Sequence, residues 1–160
     1  MTQTFSIRPA TAADLDALTA LNAQVQALHA SFAPERFPAE ADGAAVRGFF
    51  AERLALDGNH IWLACAETAP IAYIWLELED RAATPFTRTL RRVHIHHVGV
   101  DAAWRRRGVA GALFAQADAS AKANVCAEVT LDVWAANAAA RAFFAATGFS
   151  PRRIVMAKGA

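Results

Sequence analysis

Leu15, Leu18, Leu21, Val25 and Leu28 recur at three- and four-residue intervals, which predicts an amphipathic helix with one face on a core. Thr11, followed three residues later by Asp14, supplies the reciprocal capping pattern at its start. Pro34 and Pro38 break the period, so residues 31–43 are expected to be a loop, and a second helix is expected from Ala44 to Leu56, ending before the turn signal Asp57-Gly58-Asn59. The period then shortens. Ile61–Ala66 and Ile71–Leu78 flank Thr68-Ala69-Pro70 and predict an antiparallel hairpin, while Phe5–Arg8 predicts a short first strand. Residues 80–91 are polar and read as a loop, and Val93–Val100 reads as a third core strand. A helix from Gly108 packs through Val109, Leu113 and Ala117. Val129–Trp134 predicts another strand, Asn137–Thr147 a last helix closed by Gly148 and Phe149, and Ile154–Met156 a final strand. No internal repeat interrupts this order. The expected architecture is α/β: a mixed, mostly antiparallel central sheet of six to seven strands, with about four helices on both faces.

A chain of 160 residues with 55% apolar content is expected to form a single domain, 1–160, with a real core. Apolar runs are broken well short of membrane-spanning length, and Met1–Phe5 has neither the basic start nor the apolar centre of a leader, so no membrane association and a cytoplasmic location are expected. Cys65 and Cys126 stand alone and read as packing thiols in a reducing compartment. A net charge of +1 argues against nucleic acid as a partner, as does the lack of aromatic residues among the arginines. Seven of the fourteen arginines nevertheless fall between Arg81 and Arg107, a concentration suited to a phosphorylated small molecule or to a solvated loop.

The segment Val98-Gly99-Val100-Asp101-Ala102-Ala103-Trp104-Arg105-Arg106-Arg107-Gly108-Val109-Ala110-Gly111 says which of these applies to Arg105, Arg106 and Arg107. It reads as a strand entering a helix through an arginine-rich turn. A helix start leaves backbone N–H groups unpaired and partly positive, and small residues at 108, 110 and 111 let a bulky anion reach them. That is a diphosphate seat built mostly from backbone.

Arg105-x-x-Gly108-x-Ala110 resembles the acetyl-CoA signature of the GNAT N-acetyltransferase superfamily, and Asn137-x-x-Ala140-x-x-Phe143-Phe144-x-x-x-Gly148-Phe149 resembles that family's second block. Together with the element order, the resemblance covers nearly the full length. It implies a sheet splayed at the cofactor site, with the pantetheine of acetyl-CoA lying along Val98, Gly99 and Val100 and its diphosphate held by the N–H groups of Arg106 to Gly111, Val109 included. Asn137 and Ala140 would meet the cofactor from the last helix, and Phe144 would lie near the thioester sulfur. The family commonly places tyrosine where Phe144 stands, as the acid for the departing thiolate. Phe144 cannot donate a proton, and Tyr73 is the only tyrosine in the chain.

Acetyl transfer to an amine needs a neutral nucleophile, yet a lysine-like amine is neutral in only about one molecule in two thousand at pH 7. A base is therefore required. His96 is the leading candidate, with His97, and the carboxylates Glu77 and Glu79 on the neighbouring strand, as alternatives. Strand alternation puts His94 and His96 on the face of Val98 and Val100, with His97 opposite. No metal is expected, because no carboxylate or third ligand stands at fitting spacing from His94 and His96 along the chain. By the resemblance, acceptor contacts fall in the loop after the first helix, at His29, Phe32, Glu35 and Phe37, with Tyr73 as a further candidate. The expected function is transfer of acetyl from acetyl-CoA to a primary amine, small molecule or peptide, by direct attack in a ternary complex. The alternative is a non-catalytic acyl-CoA sensor, kept open by Phe144. Edge strands leave room for a homodimer.

Overall fold

A computed structural model describes residues 4–159. The domain span 1–160 and the leader reading at Met1–Gln3 extend outside the described residues. Five strands form one sheet in the order β1-β2-β3-β4-β5: β1 Ser6–Pro9, β2 Asn59–Ala66, β3 Ala69–Arg81, β4 Leu90–Val100 and β5 Glu128–Leu131. The first four are antiparallel, and β5 runs parallel to β4. Helices α1 Leu15–Phe32 and α2 Gly43–Ala55 cover one face, α3 Val109–Ala123 covers the other, and α4 Ala138–Ala146 packs against α3 through its phenylalanines. Among the described residues no helix is long and apolar enough to cross a membrane.

Two cores result. Leu15, Leu18 and Leu21 bury against Phe50, Leu63, Tyr73 and Trp75, while Leu113, Phe114 and Ala117 bury against Ile74, Val93 and Ile95. Leu28 is 43% exposed, because the long α1 outruns the sheet. The start of α1 is a 3₁₀ turn, Ala12–Asp14, where Asp14 accepts from the Thr11 N–H and pairs with Arg8 of β1 at 2.7 Å. That pairing holds the Asp14 carboxyl down at about 2. Cys65 lies in the core, and Cys126 is half-buried.

Two strand expectations change. Residues 150–159 form no regular element, and Ile154, Val155 and Met156 stand 79%, 82% and 89% exposed. β5 offers only four residues of edge, Pro151 lacks an N–H, and Arg152 binds β5 through its side chain to Glu128 instead. Among the described residues the sheet therefore has five strands rather than six or seven. The polar stretch 80–91 is also shorter than expected, because Asp80 and Glu79 pair with Arg91 and Arg92 and extend β3 and β4 to Arg81 and Leu90.

The third change matters most for the site. Register slips between Trp75 and Leu76, where Trp75 opposes His97 and Leu76 opposes Ile95, so His96 is an extra residue in β4. Period-2 alternation fails there. His94 and His96 share a face with Trp75, and so does His97: its ring meets Trp75 at 5.2 Å, while that of His96 stacks on Trp75 at 4.1 Å. Val98 and Val100 turn instead to the α3 core. The expectation that His96 shares the face of Val98 and Val100, opposite His97, is thus reversed by one inserted residue.

Gly99 follows the bulge on the α1 side. A methyl group there would lie 2.7 Å from Tyr73 Cε1 and 2.9 Å from Val25 Cγ2. Gly99→Ala is expected to destabilise the fold by about 1–3 kcal/mol through overpacking, read as a lower urea midpoint at unchanged slope; an unchanged midpoint would show that α1 yields freely.

Candidate active site

β4 and β5 pair only from Arg92 opposite Glu128 to Ile95 opposite Leu131. Beyond that point β4 continues to Val100 while β5 ends, so the sheet opens. The Asp101 N–H bonds to the Ile71 carbonyl, so the backbone groups of residues 97, 99 and 101 point to β3 and those of Val98 and Val100 point into the gap. The Val100 carbonyl there accepts from Arg105 Nε at 3.2 Å. Among the described residues, the Val98 N–H and C=O have no hydrogen-bond partner. This crevice lies at the carboxyl ends of two parallel strands, where an α/β sheet places its ligands.

Both helices that follow these strands begin at the gap. Gly108 caps α3 at φ +80°, after Arg106 at φ +61°, and the first bond of the helix runs from the Ala112 N–H to the Gly108 carbonyl. The N–H groups of Arg106, Gly108, Val109, Ala110 and Gly111 have no acceptor among the described residues, which makes a concave, partly positive cradle. Arg105 reaches back to Gln24 and Val100, and the Arg107 guanidinium lies over Trp104 at 5.3 Å. Gln24 also bonds Asp101 and the Ala102 N–H, fastening α1 to this turn. Across the gap Asn137 caps α4, its Oδ1 accepting from the Ala140 N–H at 3.1 Å. Phe144 packs against Phe114 and Phe149. Three further arginines of the expected cluster are occupied elsewhere: Arg81 and Arg92 hold Glu79, and Arg91 holds Asp80.

On the α1/α2 face His96 Nε2 lies 2.6 Å from Glu77 Oε2. A carboxylate only accepts, so this contact places a proton on Nε2, and in the neutral ring Nδ1 then carries the lone pair. Glu77 and His96, alternatives in the sequence, are one hydrogen-bonded unit here, stacked on Trp75. His94 instead bonds Thr130 at 2.9 Å, and burial, followed by the charges of His96 and Arg92, lowers its pKa. His97 Nδ1 lies 3.4 Å from both Asn22 Nδ2 and the Tyr73 hydroxyl. Burial, joined by the charges of His29 and His96, pushes the His97 imidazole down to about 4. A base that weak is poorly matched to neutral pH, so His97 is a neutral hydrogen-bonding group.

Tyr73 is 0% exposed, and its hydroxyl accepts from Asn22 Nδ2 at 2.9 Å. Burial raises its phenol above the ordinary value, partly countered by Asn22. The acceptor contact expected of Tyr73 is therefore corrected: it is a floor beneath the site. Strand pairing brings Glu77, Glu79 and His96 together, with ligand atoms within 4.8 Å of one another, although chain spacing had offered no such set. Arg81 and Arg92 already engage Glu79 and would compete with a cation.

A pocket of about 400 Å³ opens between α1, α2 and β4, lined chiefly by Asn22, Asp42, Val46, Phe49, Phe50 and His97. None of His29, Phe32, Glu35 and Phe37 is on that lining. Phe37 packs on His29 at 5.3 Å and on Trp134 at 5.4 Å, forming a separate aromatic wall, and Glu35 is exposed beside Arg36. Sequence reading missed Asn22, Trp75 and the Phe49-Phe50 pair. Asn22 left a signal: a polar residue inside the apolar stripe, four after Leu18 and three before Val25.

Residues 22–149 match the model of the acetyltransferase (GNAT) family. No curated protein matches the chain. Among solved structures, a tetramutant of the BH1408 protein from Bacillus halodurans is 21% identical, with a TM-score of 0.91 over 97% of this chain and 99% of that one. Aminoglycoside N-acetyltransferase AAC(6')-Iy in complex with CoA is 19% identical, with a TM-score of 0.78 over 98% of this chain and 95% of that one. AAC(6')-IG from Acinetobacter haemolyticus is 22% identical, with a TM-score of 0.75 over 97% of both chains. At these identities the likeness establishes the fold.

The neutral His97 has a measurable consequence. Its folded pKa lies below its unfolded value near 6.5, so between pH 6.5 and about 4 the unfolded chain binds a proton that the native chain does not. Stability is therefore lost as the pH falls through that window. His97→Phe is expected to flatten the slope by up to about 1.4 kcal/mol per pH unit in urea titrations; parallel curves would mean that His97 titrates normally.

Proposed function

This chain belongs to the acetyltransferase (GNAT) family, and on that premise we propose that it transfers an acetyl group from acetyl-CoA to a primary amine by direct attack within a ternary complex. The observation that carries this reading is the parting of β4 from β5 after Ile95, with the Val98 backbone groups turned into the gap and a helix start on either side. A pantetheine arm carries amides that can pair with a strand edge, and Val98 offers that edge. The N–H cradle from Arg106 to Gly111 suits the diphosphate, and Gly108 and Ala110 let it approach. The Asn137 side chain, with its Oδ1 in the cap, has its NH₂ left to give.

In the proposed step His96, oriented by Glu77, takes a proton from the acceptor ammonium through Nδ1, directly or through water. The neutral amine attacks the thioester carbonyl, the C–N bond forms, the C–S bond breaks, and CoA leaves as the thiolate while the second N–H proton passes to solvent. Glu77 keeps the imidazole in one tautomer and stabilises its protonated form, the part a carboxylate plays beside a catalytic histidine. Phe144 supplies an apolar wall and no proton. A thiol of pKa about 8.5 departs tolerably near neutrality without a dedicated acid. The solved neighbours named for aminoglycosides support a small-molecule amine as the acceptor class.

Two variants test the two halves. Gly108→Glu places a carboxylate at φ +80° beside the cradle, and is expected to abolish the acetyl-CoA signal in calorimetry while leaving circular dichroism unchanged; retained affinity would count against the seat. His96→Ala is expected to lower kcat/KM by about 10²–10⁴-fold, with acetyl-CoA affinity unaltered. An unchanged kcat/KM would sink His96 as the base.

A further inference from the structure

The pocket between α1 and α2 differs in chemistry from what a polycationic sugar needs, and its inner end is tied to the proposed base. Phe49 meets Trp75 edge-on at 5.2 Å, and the opposite partner of Trp75 is the stacked His96 ring. His97, at the pocket floor, directly follows His96 and precedes Val98, whose backbone faces the gap. An amine held in this pocket is thus presented at the bulge where the sheet opens.

We propose that this pocket is the acceptor site and that it selects a monoamine carried on an apolar or aromatic body, such as an arylalkylamine, over an aminoglycoside or a polyamine; the proposal rests on the acetyltransferase reading above. Val46 and Phe49 give the walls an apolar, aromatic surface backed by the buried Phe50, and a volume of about 400 Å³ matches a body of one or two rings. Asp42 is the one carboxylate among the lining residues, and its Oδ1 already accepts from the Ala44 and Ala45 N–H groups as the cap of α2. Asn22 donates to Tyr73, and His97 is uncharged. The hydroxyls and several ammonium groups of an aminoglycoside would lose water here without gaining partners, a cost that an aromatic body does not incur.

Arg53 adds a second argument. Its guanidinium lies over Phe49 at 4.6 Å and over Trp75 at 5.7 Å, and its buried Nε has no partner among the described residues. A fixed cation on the shared aromatic wall repels multiply charged ligands most. For a single amine it favours the neutral form that the reaction needs.

The test is a thiol-release panel with acetyl-CoA and 2-phenylethylamine, isoamylamine, spermidine, neamine and a short peptide with a free N-terminus. The expected result is a kcat/KM for the two apolar amines at least about 100-fold above the others. Ala45→Trp changes an exposed α2 position on the same lining, so the core stays intact while the pocket fills. It is expected to lower kcat/KM for 2-phenylethylamine by at least about tenfold, with the calorimetric affinity for acetyl-CoA unchanged. Preference for neamine, spermidine or the peptide, or indifference to Ala45→Trp, overturns the proposal while leaving acetyl transfer standing. Absence of both acetyl-CoA heat and thiol release from every amine would instead overturn the acetyltransferase reading, and the acceptor assignment with it.

Discussion

One surplus residue in β4 organises the site. Between Trp75 and Leu76 the ladder of β3 advances by one step while β4 advances by two, and His96 occupies the excess. Its consequences run in three directions. Two consecutive histidines come to the α1/α2 face, where one stacks on Trp75 and the other closes a pocket. The valines that follow exchange faces and pack toward α3. Pairing with β5 ends at the residue before the bulge, so Val98 has β3 on one side and no strand on the other. A strand that continued in register would bury those amides in a ladder and leave nothing for a ligand to pair with.

Charge is sorted by the same framework. Arg91 and Arg92 of β4 are drawn to Asp80 and Glu79 across the ladder, with Arg81 also on Glu79, and serve the hairpin's long reach. Arg105, at the α3 entrance, turns instead to the Val100 carbonyl and Gln24, where helix amides already provide partial positive charge. On the other face, burial strips His97 of its proton, while Glu77 holds His96 in a single tautomer. Adjacent imidazoles acquire different jobs because one faces a carboxylate and the other faces Asn22 and a buried phenol.

Phe144 fits this division. It belongs to a cluster with Phe114, Phe143 and Phe149 that fastens α4 to α3. Gly148 at φ +94° ends α4, and the Phe149 N–H returns to the Phe144 carbonyl at 2.9 Å, so the ring sits at a fixed helix terminus. In the proposed reaction, what the family commonly does with a phenol at this place is left to a thiolate that departs unaided or to water.

The family, the element order and the helix start at Gly108 were legible in the chain, because helical spacing, turn residues and small residues near an anion seat are local properties. So were the stripe of α1 and the Gly148 cap. The final strand was not, since three apolar residues after a proline look alike whether or not an edge is available to them. Nor was the face of His96: alternation is a rule for a continuous ladder, and only the pairing of Trp75 with His97 reveals the inserted residue. The joining of Glu77 with His96, the burial of Tyr73 and the pocket floored by His97 share one cause. Each depends on which strands and helices lie side by side, and distances between side chains far apart in the chain are set by packing alone.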